Sequence, residues 1–280
     1  MASLVDRVRV GDVAAEPFPY LIVRDALDDA LCSRLISEFP PLEVVSGGAP
    51  LGSNRRFSMT AHEALEHPQM PDVWRELIRQ HVSQQFLDGL TRLFGAHIKR
   101  LYPDFEDDFG AVDALRAGVR GVDSFEVSDV QLDAQISINT PVLETPDSVR
   151  ESHLDAPDKL FVGLFYLRSD DDDSTGGDLE IAQWRSQPRG QRGPMSYRKF
   201  VEIVETVPYA RNTLILFVNS PNSLHGVTVR SRTKAPRLFM NIVGDVKAPL
   251  FDMGAYQASA WDRVLASPDI IQGKLLARRY

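Results

Sequence analysis

His153 and Asp155 stand two residues apart in "ESHLDAPDKL", just ahead of the apolar run "LFVGLFYL". In an extended segment, residues i and i+2 share a face, so this imidazole and carboxylate converge on one point. A second imidazole, His225 in "NSLHGVTVR", opens a β-rich run far downstream. Two imidazoles and one carboxylate on one face of a metal ion leave its other face open. That arrangement suits non-haem Fe(II) oxygen chemistry. Taken alone, H-x-D is a weak signal: chance matches are common and a solvated pair at a strand end is the ordinary outcome. Its surroundings give it weight.

Those surroundings are elements that could bring distant residues together. "YLIVRDAL" reads as a short strand and "DDALCSRLISEF" as an amphipathic helix stopped by Pro40 and Pro41. "EVVSGGAPLGSNRRFSM" reads as a Gly/Ser-rich loop, a candidate lid over residues 45–59, in which Arg55 or Arg56 could meet an anionic group. From Pro71 to Phe94 apolar residues recur at helical spacing, with His81 on the apolar stripe and Gly95 suited to the end. After "YPDFEDDFG" the texture changes to about eight short β-rich runs split by turn residues. The tail returns to helix in "YQASAWDRVLA" and "SPDIIQGKLLARR", with Ser267 and Pro268 as cap and first turn.

Strands arriving as a block predict an antiparallel sandwich or barrel braced by the early helices. The expected class is α+β, and the resemblance of the strand motifs to a known family makes it a double-stranded β-helix (jelly roll, cupin-like) with N-terminal and C-terminal helices. A single domain over 1–280 divides into a helical support (1–128), the β-helix core (129–245) and C-terminal helices (246–280).

Composition narrows the function classes. The 280 residues are 43% apolar and 25% charged, an ordinary globular balance. A formal charge of −8 argues against a nucleic-acid surface. The single cysteine, Cys32, allows no internal disulfide and favours a reducing compartment. The N-terminus is too charged for a signal peptide, and no apolar run approaches a membrane span. A cytoplasmic protein without nucleic-acid or membrane partners, with a homodimer left open, is the expectation.

The order "HLD", "FYL", "GGDLEI", "LILF…LHGVTV" and a strand-opening arginine resembles the Fe(II)/2-oxoglutarate-dependent dioxygenases, in their prolyl-hydroxylase-like branch. The likeness covers roughly residues 130 to 245 and is much looser before that. It implies Fe(II) on His153, Asp155 and His225, with 2-oxoglutarate as cosubstrate and ascorbate as auxiliary reductant. It also implies that Arg237 pairs with the distal 2-oxoglutarate carboxylate, where a bidentate guanidinium fits, and that Tyr166 hydrogen-bonds the same group. The family's basic residue usually stands nearer the last histidine, so Lys234 and Arg232 are rivals. Arg237 is preferred because it opens an apolar strand and shares an inward face with Phe239 and Asn241.

Gln135, Ser137 and Asn139 alternate along one strand face, and Asn139 is the chosen pocket residue among them. The implied reaction is C–H hydroxylation of an amino acid, a sugar derivative or a natural-product intermediate, giving succinate and carbon dioxide. The alternative is a cupin-like protein that binds a metal or sugar without oxidising anything. His62, His67 and His97 have no partner pattern, and His81 reads as packing. The run Asp170 to Asp173 fails the EF-hand pattern and reads as a solvated turn.

Overall fold

The computed structural model describes residues 1–148, 150–193 and 195–266. The chain opens with β1 (Tyr20–Arg24), α1 (Asp29–Ser37), α2 (Leu42–Val45), β2 (Arg56–Met59) and α3 (Ala61–Glu66). Then follow α4 (Asp72–His81), α5 (Gln84–Leu101), α6 (Phe105–Phe109) and β3 (Ala117–Val119). The strand block comprises β4 (Val130–Asn139), β5 (Lys159–Tyr166), β6 (Leu179–Trp184), β7 (Gln191–Arg192) and β8 (Met195–Ser196). It continues through β9 (Val201–Val207), β10 (Thr213–Val218), β11 (His225–Val227) and β12 (Arg237–Val246), and α7 (Ala260–Leu265) follows.

The larger sheet runs β1-β10-β5-β12-β4-β2, with β3 parallel beside β4 and every other pairing antiparallel. A smaller sheet runs β11-β6-β9, and His153 bridges to β11 through its backbone. The chain thus passes from β4 to the His153 bridge, back to β5, over to β6 and β9, back to β10, over to β11 and back to β12. That winding is an antiparallel double-stranded β-helix, and the molecule is α+β.

Strand alternation sorts the side chains into two cores. Leu132, Ile136, Met240 and Ile242 face outward from the larger sheet and join Trp74, Leu77, Phe86, Leu90 and Phe94 of α4 and α5. Each of these fully buried side chains contributes about 1.5–3 kcal/mol. Val162, Leu164, Tyr166, Phe217 and Phe239 face the barrel interior with Leu179 and Ile181 of the smaller sheet. All ten residues of β12 are buried, since helices cover one face and the barrel encloses the other.

The helical pattern from Pro71 to Phe94 forms two helices rather than one. Ser83 breaks it, its hydroxyl accepting from the Phe86 N–H at 3.2 Å as the N-cap of α5. The helix then runs through Gly95, which was expected to end it. A Cβ there would lie 3.3 Å from Val112 Cγ1, so Gly95 serves close packing. The Gly/Ser-rich stretch also departs from a simple loop, because Arg56–Met59 adds β2 to the edge of β4. The preceding residues are tied down: Asn54 N–H donates to Pro141 O (2.9 Å), and Ser53 Oγ accepts from Leu143 N–H (3.0 Å).

At the other end, Ser259 and Asp262 form a capping box on α7. The helix expected from "SPDIIQGKLLARR" lies outside the described residues. No helix among the described residues is long and apolar enough to cross a membrane.

Candidate active site

The antiparallel bridge between His153 and His225 fixes the first two side chains of the site. His153 N–H donates to His225 O at 2.9 Å, and His225 N–H donates to His153 O at 3.2 Å. Gly226 makes this approach possible: a Cβ on it would fall 2.9 Å from Ser152 N. The two imidazole centroids lie 4.2 Å apart. Each Nδ1 donates to a backbone carbonyl two residues back, Glu151 O at 2.8 Å and Ser223 O at 2.9 Å. A carbonyl only accepts, so the proton sits on Nδ1 and each Nε2 keeps a lone pair.

Asp155 completes the group, with Oδ2 3.4 Å from His225 Nε2. One potential ligand atom from each of His153, Asp155 and His225 lies within 4.8 Å of the others, and all three residues are buried. Burial, and for His153 the neighbouring His225, pushes both imidazoles below their usual range and keeps them neutral. Burial alone would raise the Asp155 carboxyl. Lys159, His225, His153 and Arg150 outweigh it and hold the group far below the usual carboxylate range. Lys159 Nζ is 3.1 Å from Asp155 Oδ1 and Arg150 Nη1 is 3.7 Å away. Two neutral imidazoles and one carboxylate form the donor set of an open-faced divalent site.

A loop holds these ligands in place. Asn219 Nδ2 donates to Ala156 O (2.8 Å) and Lys159 O (3.1 Å), just after Asp155. Its Oδ1 accepts from Ser223 Oγ at 2.9 Å, just before His225. Asn219 therefore joins both halves of the site. In sequence it sits within an Asn/Ser/Pro cluster that signals only a turn.

The three residues open onto a cavity of about 240 Å³ inside the barrel, which Asn139, Arg237, Phe239 and Asn241 also line. Arg237 is 2% exposed, and its Nε and Nη2 have no hydrogen-bond partner. Its guanidinium carbon lies 4.7, 4.9 and 5.1 Å from the ring centroids of Tyr166, Tyr209 and Phe239. Both amide atoms of Asn139 and the Tyr166 hydroxyl are likewise buried without partners.

An unsatisfied buried polar group costs about 1–3 kcal/mol. Such a cluster around a cation is a seat for a polar, anionic group. Tyr166 stands behind Arg237 rather than on the cavity wall, and burial pushes its phenol up. Ser137 bonds Ser58 at 2.7 Å, while Gln135 accepts from Asn241 Nδ2 at 2.9 Å. Arg232 and Lys234 line a separate surface hollow with Asp171 and Asp173, away from the metal-ligand candidates.

Sequence reading missed several neighbours. Tyr209 stacks against Arg237, and its hydroxyl accepts from Leu238 N–H at 2.8 Å. Arg230 is buried and donates to Asp172 Oδ2 at 2.8 Å. The Asp170–Asp173 run is therefore not wholly a solvated turn, because Asp172 faces inward to meet that guanidinium. Only the fold brings these residues together; no local spacing signals it. His81 lies on the helix stripe, and His62, His67 and His97 lie outside the cavity's lining.

No family model and no curated protein matches the chain. Among solved structures it is similar to a prolyl 4-hydroxylase of Phytophthora capsici, at 19% identity and TM-score 0.46, over 81% of this chain and 59% of that one. It thus spans less than two thirds of that protein's length. It is also similar to an oxygenase of Shewanella oneidensis described as putative, at 11% identity and TM-score 0.46, over 84% and 82% of the two chains. A third is a non-heme alpha-ketoglutarate-dependent carbocyclase from nogalamycin biosynthesis, at 11% identity and TM-score 0.45, over 81% and 79%. At such distances the functional reading rests on the side chains of this chain.

Proposed function

We propose that this protein is an Fe(II)- and 2-oxoglutarate-dependent dioxygenase that hydroxylates a C–H bond of a small metabolite. The observation that carries this reading is Arg237: a buried guanidinium with two unpartnered nitrogens, in the same cavity as His153, Asp155 and His225. A cupin-like binding protein needs the metal ligands but needs no arginine for 2-oxoglutarate.

Fe(II) with a bound 2-oxo acid supplies the oxidative chemistry, in which R–H, 2-oxoglutarate and O2 become R–OH, succinate and CO2. The Nε2 atoms of His153 and His225 and a carboxylate oxygen of Asp155 would hold the metal. Arg237 would pair with the distal carboxylate of the cosubstrate, a charge-assisted and geometrically specific contact. Tyr166 and Tyr209 hold the guanidinium by ring contact, and Asn139 offers an amide beside it. Apolar Leu164, Leu179 and Val162 in the same wall help keep water from the reacting C–H bond. A cavity of only about 240 Å³ in the barrel supports a small substrate such as an amino acid, a sugar derivative or a natural-product intermediate.

The direct test is succinate release from 2-oxoglutarate under oxygen, with Fe(II) and ascorbate, followed across a panel of such compounds. Uncoupled turnover should be measurable without substrate and should rise with the right one. If metal-loaded protein binds no 2-oxoglutarate and releases no succinate above the metal-free control, the cupin-like alternative replaces this reading.

A further inference from the structure

The cavity holds more positive charge than a metal and its cosubstrate require. Arg56, Arg150, Lys159 and Arg237 all line it, against the single carboxylate of Asp155. Lys159 is matched to Asp155 at 3.1 Å. In the reading above, Arg237 is taken by the distal carboxylate of 2-oxoglutarate. Arg56 and Arg150 remain.

Neither is well paired. Arg150 reaches Asp155 only at 3.7 Å, with its side chain 36% exposed. Arg56 has no carboxylate partner among the described residues, and its guanidinium carbon lies over the Phe239 ring, 5.2 Å from the centroid. It also lies within electrostatic reach of Arg150, Asp155 and Arg237.

The sheet explains the placement. Arg237, Asn139 and Arg56 are register partners across β12, β4 and β2, so the three side chains leave one face in a row. Arg237 forms the buried end of that row and Arg56 the exposed end. Asn139 stands between them with both amide atoms buried and unpartnered. The Phe239 ring contacts both guanidiniums, 5.1 Å from Arg237 and 5.2 Å from Arg56. Like charges repel, and such an arrangement is favourable chiefly when anions sit between or beside them.

We propose that the substrate carries an oxyanion, a carboxylate or a phosphate, bound by Arg56 and Arg150 at the outer part of the cavity, in a seat separate from that of Arg237. The inference rests on the dioxygenase reading and narrows its substrate class. An oxyanion held there fixes the rest of the molecule toward the metal ligands, because Arg150 also approaches Asp155. Arg56 is the residue of choice for such a role, since its planar fork matches either oxyanion bidentately.

The test uses the full chain loaded with Mn(II) and saturating 2-oxoglutarate, both measured before any probe is added. Line broadening of the methyl proton signal by Mn(II) is then followed for acetate, methylphosphonate and neutral acetamide. Acetate or methylphosphonate should broaden at concentrations well below acetamide, and the stronger of the two identifies the oxyanion. Arg56→Ala should weaken that probe about tenfold, the effect of losing one charge-assisted pair. Arg56→Ala combined with Arg150→Gln should abolish the preference over acetamide.

Equal broadening by all three probes in a fully loaded protein overturns the substrate class and leaves the dioxygenase reading standing. So does an oxyanion preference that survives both substitutions, as direct metal coordination would produce. If Arg56→Ala instead loses 2-oxoglutarate, Arg56 belongs to the cosubstrate seat and the inference is wrong. Failure of the unaltered protein to take up Mn(II) or 2-oxoglutarate sinks the dioxygenase reading and this inference with it.

Discussion

His153 and His225 exchange both backbone hydrogen bonds, at 2.9 and 3.2 Å, and so face each other as a hydrogen-bonded pair on neighbouring strands. Directly opposed residues in an antiparallel pair project to the same side of the sheet. Two imidazoles remote in sequence therefore converge on one point through local backbone geometry, and Asp155 joins them from its i+2 position.

That pairing depends on Gly226. In Gly226→Ala the new methyl would meet Ser152 N at 2.9 Å and Ser152 Cα at 3.1 Å, both backbone atoms that cannot swing aside. The His153 segment must shift, and Fe(II) affinity should fall about 10- to 100-fold, as when metal ligands lose their support. Anaerobic Fe(II) titration measures it. The His153→Ala/His225→Ala double variant should bind no stoichiometric iron; retention of one Fe(II) per chain would show that the ligands lie elsewhere.

Arg237→Ala removes the partner of a desolvated carboxylate, a loss of about 2–5 kcal/mol. Affinity for 2-oxoglutarate should drop by about one to three orders of magnitude while iron binding survives. Calorimetry of the metal-loaded protein reads both. Lys234→Ala, in its separate hollow, should leave the affinity in place, and the opposite pattern would exchange the two roles.

Asp155→Glu keeps the charge and moves the carboxylate by one methylene. The variant should retain iron yet release succinate about a hundredfold more slowly, since catalytic geometry tolerates little displacement. Asp155→Ala should lose more metal than Asp155→Glu. Unchanged turnover in both variants would remove Asp155 from the ligand set.

His81 makes stability pH-dependent. It is fully buried, its Nε2 accepts from Leu4 N–H at 3.1 Å, and its Nδ1 lies 2.7 Å from Leu77 O, so it is held neutral. Burial pulls it down from 6.5 to about 4, against the Leu77 hydrogen bond. The folded value lies below the unfolded one, so the unfolded chain binds the extra proton between them. This contribution is complete above 6.5 and is lost as pH falls toward 4, about 3 kcal/mol in all. Urea unfolding near neutral pH and near the lower limit, for the natural chain and for His81→Gln, isolates it. The variant should lose less stability on acidification, and an identical loss in both proteins would exclude His81 as the source.

Asp172→Ala should destabilise the fold by about 3–5 kcal/mol, because it leaves the buried Arg230 guanidinium without its counter-charge. Arg230→Met combined with Asp172→Leu should recover much of that loss. If the single variant costs less than the paired replacement, measured by denaturant unfolding, the ion pair does not hold this corner of the barrel.

The sequence by itself determined what depends on local order. Apolar alternation in "VQLDAQISIN" and the mostly apolar run "RLFMNIVG" set the strands, and the two-residue repeat of a strand set which of their residues share a face. H-x-D placed His153 and Asp155 together for the same reason. Local order did not decide how far a helix runs through Gly95, since that depends on Val112 lying against it. It also did not show that Arg56 belongs to a strand, because β2 forms only when β4 offers an edge.

The family resemblance grouped His225 with His153 and favoured Arg237, but only the tertiary structure gave the backbone pairing of the two histidines, turned Asp172 inward to Arg230, and set Arg232 and Lys234 in a hollow apart from Arg237. These are pairings across distant segments, set by strand register and barrel closure. A linear sequence carries no local signal for either.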